Sequence, residues 1–455
     1  PITLSYSNSI IFANISPTIK ERLYLKNEAN NLSNFIDSDK SISASSPHRI
    51  LIFYLDNISR KTSFELLSDS KRCPNISKIF TSRKFIRTNQ TCESNWTFPT
   101  AISMSSCKRF EEHMIYHPEL KPYTILNQSI YNSISNIHLE SLANTYPNRF
   151  RCGTNWRMKP EHGLHYFYKH CMHNHLYGDL YDTFAQVIKQ LDIASTSKSL
   201  HWIDIMDSHD PIKNSVLPFG AKHSLSTDTI VNGLHYGTGP KSIIERNSAK
   251  NSSLDIYTSQ LINIDRVIGN ILEYSYLTVP EKDHLLFFVS DHGHSFPNQQ
   301  TLFEKLKEKH QSLCGFFWEG LDTESFDKYS NLSISSSDIL PLLNTICFDS
   351  LDFGQSFLDC KYSQIFFPGA RYEFIYFYTN DIIYRYQTIN TLPGKENSLD
   401  NTLQDKYNLE NILKYGTWQL IDKDVAKTVD SSKLPKKINE SFDTVINKWL
   451  SFNIN

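Results

Sequence analysis

The sequence predicts an α/β protein built on a doubly wound sheet sandwiched between helices, with a smaller C-terminal region. Three observations carry that prediction. Short, mostly apolar runs recur along the chain, the first of them unbroken, the mark of strands buried on both faces. Helical patterns lie between them, as β-α alternation requires. Three of the runs are followed at once by an acidic residue, where ligand sites of open α/β sheets sit.

Residues 1–47 are rich in Asn and Ser and end in the Ser-rich stretch 41–46, which reads as an extension or packing arm. At Arg49 the texture changes, and residues 50–55 form the first run, Ile-Leu-Ile-Phe-Tyr-Leu. Further runs follow at 200–206, 285–289 and, more weakly, 313–318. The clearest helix covers 254–272, where Leu261, Ile264, Ile268, Ile271 and Leu272 fall on one face. Another covers 337–346. Segments 372–378 and 382–386 continue the strand pattern, before the turn-like Leu392-Pro393-Gly394 and a polar, partly helical tail. The expected organisation is an arm over 1–47, a core domain over 48–365, and C-terminal strands with a helical tail over 366–455.

Composition narrows the function classes. The formal net charge is −2 and no basic block occurs, which excludes the clustered Lys and Arg of a nucleic-acid partner. No apolar run approaches the ~20 residues of a transmembrane helix. The chain opens on Pro1 with no signal peptide, as in a mature or trimmed form. Eight cysteines (73, 92, 107, 152, 171, 314, 347 and 360) include no C-x-x-C pair, which argues against a zinc knuckle. Their even number fits four disulfides, and free thiols equally. Ten Asn-x-Ser/Thr sequons, at Asn14, Asn31, Asn57, Asn75, Asn89, Asn95, Asn127, Asn251, Asn331 and Asn439, exceed the roughly six expected by chance. Sequons and cysteines together point to an extracellular or secretory-pathway setting. A glycan on Asn57 or Asn95 would block the site proposed below.

The acidic residues after the runs are Asp56, Asp207 and Asp291. One alone reads as a helix cap; three after core strands suit a hard or borderline divalent cation, which takes oxygen and imidazole ligands from separate elements. Asp291-His292-Gly293 is the sharpest unit, since adjacent Asp and His can both reach a metal while Gly293 permits the tight exit. In Asn95-Trp96-Thr97-Phe98-Pro99-Thr100, Pro99 suits the first turn of a helix and places Thr97 just ahead of its amino end. A hydroxyl there meets unpaired N–H groups and, on a metal, becomes a nucleophile. The plain alternative for Thr97 is an N-cap.

These motifs resemble the alkaline phosphatase superfamily, which includes sulfatases, nucleotide pyrophosphatase/phosphodiesterases and phosphoethanolamine or lipoteichoic-acid transferases. Within it the chain is most similar to the sulfatase-like DUF229 family, over roughly residues 48–350. Tyr54-Leu55-Asp56-Asn57-Ile58-Ser59-Arg60 resembles that family's D-S-x-S-R, and Thr97-Phe98-Pro99 its T-F-P-N. Met206-Asp207-Ser208-His209-Asp210 resembles F-S-H-D. Ser290 to Phe296, with Glu304-Lys305-Leu306, resembles S-D-H-G-x-R-F…L-E-E-R-L. The resemblance implies an α/β/α sandwich of that type, with Asp56, Thr97, Asp291 and His292 as metal ligands and Thr97 as nucleophile. It makes His209 a contact to the transferred group. Asp207 becomes a further ligand candidate, and Asn57 stands where many sulfatases carry a second metal-binding Asp.

Two departures shape the expected activity. The formylglycine route of sulfatases needs Cys or Ser in C/S-x-P-x-R, whereas this chain has Thr97 and, at the Arg position, Ala101. Two-zinc members use a histidine late in the chain, and the last one here is His310. The expectation is therefore one divalent metal, zinc or manganese before calcium because of the imidazole. It serves a phosphoester hydrolase or phosphoryl-group transferase acting on a substrate such as a glycan or lipid head group. A sulfatase-like hydrolase of sulfated glycans without formylglycine is the second reading, and a degenerate binding or structural member the third. The run His162, His165, His170, His173 and His175 around Cys171 reads as surface or packing histidines before a second metal cluster.

Overall fold

The structure is a computed structural model that describes residues 46–94, 97–107, 137–153, 173–175, 180–209, 243–294, 301–320, 329–330, 332–348, 362–366, 374–378, 383–387, 416–423, 425–436, 438–440 and 442–443. Nearly all of the expected N-terminal arm, the histidines at 162, 165 and 170 with Cys171, and Asn95 lie outside the described residues.

Strand β1 (Arg49–Leu55) is buried at every position, as its unbroken apolar run requires. It leads through short helices α1 (Thr62–Leu67) and α2 (Pro74–Phe80) to β2 (Phe85–Arg87), β3 (Asn89–Thr91) and helix α3 (Thr97–Ser106). Helix α4 (Ile137–Thr145), strands β4 (Asn148–Gly153) and β5 (His173–His175), and helix α5 (Leu180–Ile193) follow. Strand β6 (Ser199–Ile205), the long helix α6 (Ile243–Tyr276) and strand β7 (His284–Ser290) complete the centre. Then come α7 (Leu302–His310), β8 (Cys314–Trp318), β9 (Ser333–Ser335) and α8 (Ile339–Phe348).

Seven strands form one sheet in the order β2-β8-β7-β1-β6-β4-β5. β1 pairs in parallel with both β6 and β7, so the residues after all three leave on one edge. The run at 313–318 proves to be antiparallel to β7, and β2 antiparallel to β8. The apolar run of β8 reflects burial on both faces, which periodicity cannot distinguish from parallel pairing.

Alternate residues of the central strands serve two cores. Ile50, Ile52, Tyr54, Leu285, Phe287 and Val289 pack with α3, α4 and α8. Leu51, Phe53, Leu55, Leu286 and Phe288 pack with α1, α2, α5 and α6. Each fully buried Ile, Leu or Phe contributes about 1.5–3 kcal/mol relative to exposure. At the opposite edge from the site, buried Arg49 ties the layers together. Its guanidinium donates to Ser199 Oγ (3.2 Å), Ser275 Oγ (2.9 Å), Thr278 Oγ1 (2.9 Å) and the Ala194 carbonyl (2.9 Å).

A second, antiparallel sheet has the order β10 (Tyr362–Phe366), β11 (Phe374–Tyr378), β12 (Ile383–Gln387), β13 (Thr417–Asp422) and β14 (Val425–Val429). Ile383 and Ile421 of this sheet pack on Leu306, with Leu302 and Phe303 at the margin, which docks it on α7. Among the described residues no helix is long and apolar enough to cross a membrane.

Five described cysteines, Cys73, Cys92, Cys152, Cys314 and Cys347, are buried free thiols, so a framework of four disulfides is not formed. They fill core space as small apolar side chains, which even numbering cannot reveal.

Candidate active site

The site lies where β1, β6 and β7 end. Asp56 directly follows β1, is fully buried, and its N–H donates to the Ile205 carbonyl at 3.0 Å. Its own carbonyl accepts Ser208 Oγ at 2.5 Å, which clamps the turn after β6 onto the turn after β1. Asn57 takes φ of 65°, a left-handed conformation that Asn tolerates better than most residues. The reversal turns the Asn57 N–H toward the next strand end, where it donates to Asp291 Oδ1 at 3.3 Å.

Asp291 is thereby held by one oxygen. Its Oδ1 also accepts the His292 N–H at 2.8 Å, while Oδ2 is buried and accepts no hydrogen bond. Ser290 fixes the same turn, accepting the Ile58 N–H at 3.0 Å and donating to the His292 carbonyl at 2.8 Å. His292 Nδ1 lies 3.1 Å from the Gly293 carbonyl. Only a protonated Nδ1 can donate there, so the tautomer assigned from this geometry leaves the Nε2 lone pair open for a metal.

That Nε2 stands 3.6 Å from Asp56 Oδ1, 3.5 Å from Asp291 Oδ2 and 3.4 Å from Thr97 Oγ1. Asp56, Asp291 and His292 are the one set of three converging metal-type ligands among the described residues. Ligands about 2.1 Å from a tetrahedral ion lie about 3.4 Å from one another. An octahedral ion with contacts near 2.4 Å gives about the same separation, so spacing admits either. Donor chemistry fits a cation as well: two buried carboxylates side by side need a positive charge, and Asp291 Oδ2 lacks a proton donor.

Thr97 is the first residue of α3, one position further into the helix than the sequence implied, and is almost fully buried. The loop before it is tied down by Thr100 Oγ1, which donates to the Ser94 carbonyl at 2.9 Å. Ala101, where the resemblance looks for Arg, is buried in the core rather than facing the site. His209 is partly exposed, and its Nε2 lies 3.9 Å from Asp56 Oδ2. Asp207, on the same turn, is not one of the converging ligands. Asn57 is buried, with its amide nitrogen 3.5 Å from the Ser208 carbonyl. At 4% exposure it has no room for a glycan, and Asn75 spends its amide on Asp265 Oδ2 at 2.9 Å.

The structure adds residues that sequence reasoning did not single out. Tyr257 Oη donates to the Asn57 carbonyl at 2.9 Å and meets Ser63 Oγ at 2.7 Å. Burial pushes its phenol pKa well up, which keeps it a donor. It stands one turn before Leu261 on the apolar face of α6, and a lone hydroxyl on that stripe was the available signal. Gln90 Nε2 donates to the Ser290 carbonyl at 3.1 Å, as does Ser312 Oγ at 3.0 Å. Gly293 is required by proximity: a Cβ there would lie 1.9 Å from the Glu308 carbonyl oxygen.

No family model matches the chain, and no curated protein sequence does. Solved structures do. A putative sulfatase from Bacteroides fragilis superposes with a TM-score of 0.56 at 12% identity, covering 91% of this chain and 98% of its own. A 2-O GAG sulfatase gives 0.53 at 12% identity over 89% and 93%. The lipoteichoic acid synthase LtaP from Listeria monocytogenes gives 0.50 at 15% identity over 93% and 97%. At such identities the likeness is one of fold: this chain has the alkaline phosphatase/sulfatase superfamily fold.

Proposed function

We propose that the protein is a metal-dependent phosphoester hydrolase or phosphoryl-group transferase with Thr97 as its nucleophile. The observation that carries this reading is the Thr97 hydroxyl 3.4 Å from His292 Nε2, beside the Asp56 and Asp291 carboxylates. Asp56, Asp291, His292 and Thr97 would hold one divalent ion, zinc or manganese before calcium because one donor is an imidazole. Bound there, such an ion makes the threonine hydroxyl more acidic and offsets negative charge on the ester.

The chain's own groups supply the rest. Thr97 Oγ1 attacks phosphorus, its proton leaves to solvent, and the bond to the leaving oxygen breaks, which yields a phosphothreonine. Water or an acceptor hydroxyl then attacks that phosphorus and frees Thr97. The N–H groups that open α3, at Thr97 and Phe98, and the partly exposed His209 would stabilise the oxygens that gain charge. Asn57 N–H, through Asp291 Oδ1, keeps the second oxygen of that carboxylate aimed inward.

Sulfate-ester hydrolysis on a sulfated glycan is the second reading, favoured by the sulfatases among the structural neighbours. Thr97 weighs against it, since formylglycine is made from Cys or Ser. Purified protein reloaded with Mn²⁺ or Zn²⁺ would be assayed on aryl phosphomonoesters, phosphodiesters and sulfate esters. The proposal expects phosphoester turnover that Thr97→Ala abolishes. Equal rates for wild type and Thr97→Ala on every ester would remove Thr97 as nucleophile. Absence of bound metal after reloading would favour a degenerate binding protein.

A further inference from the structure

A charged recess beside the active site has no role in the chemistry above. It encloses about 940 Å³ between the turn after β1, the end of β2, helix α7 and the β13–β14 turn. Arg60, Lys61, Arg87, Lys307 and Lys423 line it, and none of the five forms an ion pair with a described residue. Arg87 is spread over the Phe64 ring at 4.2 Å and gives one N–H to the Arg60 carbonyl at 3.4 Å. Its other donors, and those of Arg60, remain uncommitted among the described residues. Lys307 Nζ lies 5.3 Å from the centre of the Phe303 ring, which also lines the recess.

Four carboxylates share the lining, and two of them are turned to internal work. Glu304 Oε2 accepts the Thr301 N–H and hydroxyl, both at 3.0 Å, closing a capping box on α7. Glu308 Oε2 accepts the Thr62 N–H at 3.3 Å; burial raises its pKa, while Lys61 pulls the other way. Glu65 is near enough to Arg87 to raise its pKa against the effect of burial, but neither it nor Asp422 is within ion-pair distance of a described cation. Arg60 and Arg87 are half-buried neighbours of like charge; burial, then Arg87, lowers the Arg60 pKa. Two adjacent guanidiniums that keep N–H donors to spare are the chemistry that recognises a tetrahedral oxyanion.

The recess and the metal-type ligands meet at the backbone of α7, because Glu308, which lines the recess, abuts Gly293 next to His292. Gly293 N–H bonds the Lys309 carbonyl at 3.0 Å, and the Glu308 carbonyl leaves no space for a side chain on Gly293. Arg60 N–H bonds the Gln311 carbonyl at 2.8 Å, which sets the recess four residues from Asp56 along the chain. We propose that this recess binds a second phosphate or sulfate group of the ligand, so that the protein selects molecules carrying more than one oxyanion. That selection rests on the phosphoester reading of the neighbouring site; binding of an oxyanion in the recess does not.

Calorimetry on the full, metal-reloaded chain with a hexose bisphosphate and a hexose monophosphate tests the idea. Wild type is expected to bind the bisphosphate about ten-fold more tightly, with the preference weakening as salt is raised. Arg60→Gln and Lys307→Gln, shown folded by their melting curves, lose that preference. Asp56→Asn weakens the monophosphate and keeps the preference. Lys307 is partly exposed on α7, so Lys307→Gln serves even where Arg60→Gln does not fold. Equal binding of the two sugars to wild type, or a preference that survives in the recess variants, overturns the proposal. Failure of the phosphoester reading looks different: no ester is turned over, while bisphosphate binding still depends on Lys307.

Discussion

Gly293→Ala tests how closely the metal-type ligands depend on their packing. The added Cβ would lie 1.9 Å from the Glu308 carbonyl oxygen and 3.1 Å from Ser59 Cα. Ordinary contact needs about 3.5 Å, so the backbone must yield by roughly 1.5 Å. Helix α7 cannot retreat cheaply, because its end is tied to other segments: Arg60 N–H donates to the Gln311 carbonyl and Cys92 N–H to the His310 carbonyl, both at 2.8 Å. The displacement therefore falls on the Asp291-His292 turn, where a metal site tolerates shifts of only about 0.2 Å. Overpacking of this kind costs about 1–3 kcal/mol of stability, and the metal should be lost with it. Metal content by mass spectrometry and chemical denaturation, with and without added Zn²⁺ or Mn²⁺, measure both effects. Full metal occupancy with unchanged stability would refute the claim that close approach, rather than turn flexibility, dictates glycine here.

Three further outcomes follow from burial. Stability should fall on acidification, because burial holds His284 down to about 3 and His201 well below its ordinary value of 6.5. Below pH 6.5 the unfolded chain takes up protons that these two refuse when folded, so each contributes a slope of about 1.4 kcal/mol per pH unit. Denaturation midpoints at a series of pH values test this, and an unchanged slope in His284→Asn would contradict it. Arg151 and Asp204 form a buried pair with N–O distances of 2.6 and 2.9 Å, so Arg151→Met should cost about 3–5 kcal/mol. A far smaller loss on chemical denaturation would show that Asp204 finds another partner. Burial pushes the Cys92, Cys314 and Cys347 thiols up to about 12, so a thiol reagent at pH 8 should react with them only after denaturation. Rapid labelling of the native protein at any of the three would argue against a closed core.

Particular residues show how far the sequence reached. β1, β6 and β7 were legible because strands buried on both faces are mostly apolar, even with Arg49, His201, Asp204 and His284 buried among them, and each run was followed by an acid. β8 was read as a strand but not as antiparallel, since burial leaves no trace of direction. Thr97 was legible through Pro99, which marks a helix start, but its distance from His292 was not. Tyr257 was hidden within a helical stripe, and the cysteines gave a count without saying which faced the core.

The sequence by itself determined the alternation of strand and helix and the order of Asp56, Thr97 and Asp291-His292, because burial and turn chemistry act within a few residues. Tertiary structure alone decided which carboxylate oxygen is pinned and which is free, why residue 293 is glycine, and that unpaired cations gather beside the site. Those facts arise where segments more than two hundred residues apart meet, as Asn57 meets Asp291, and no local pattern encodes such an approach.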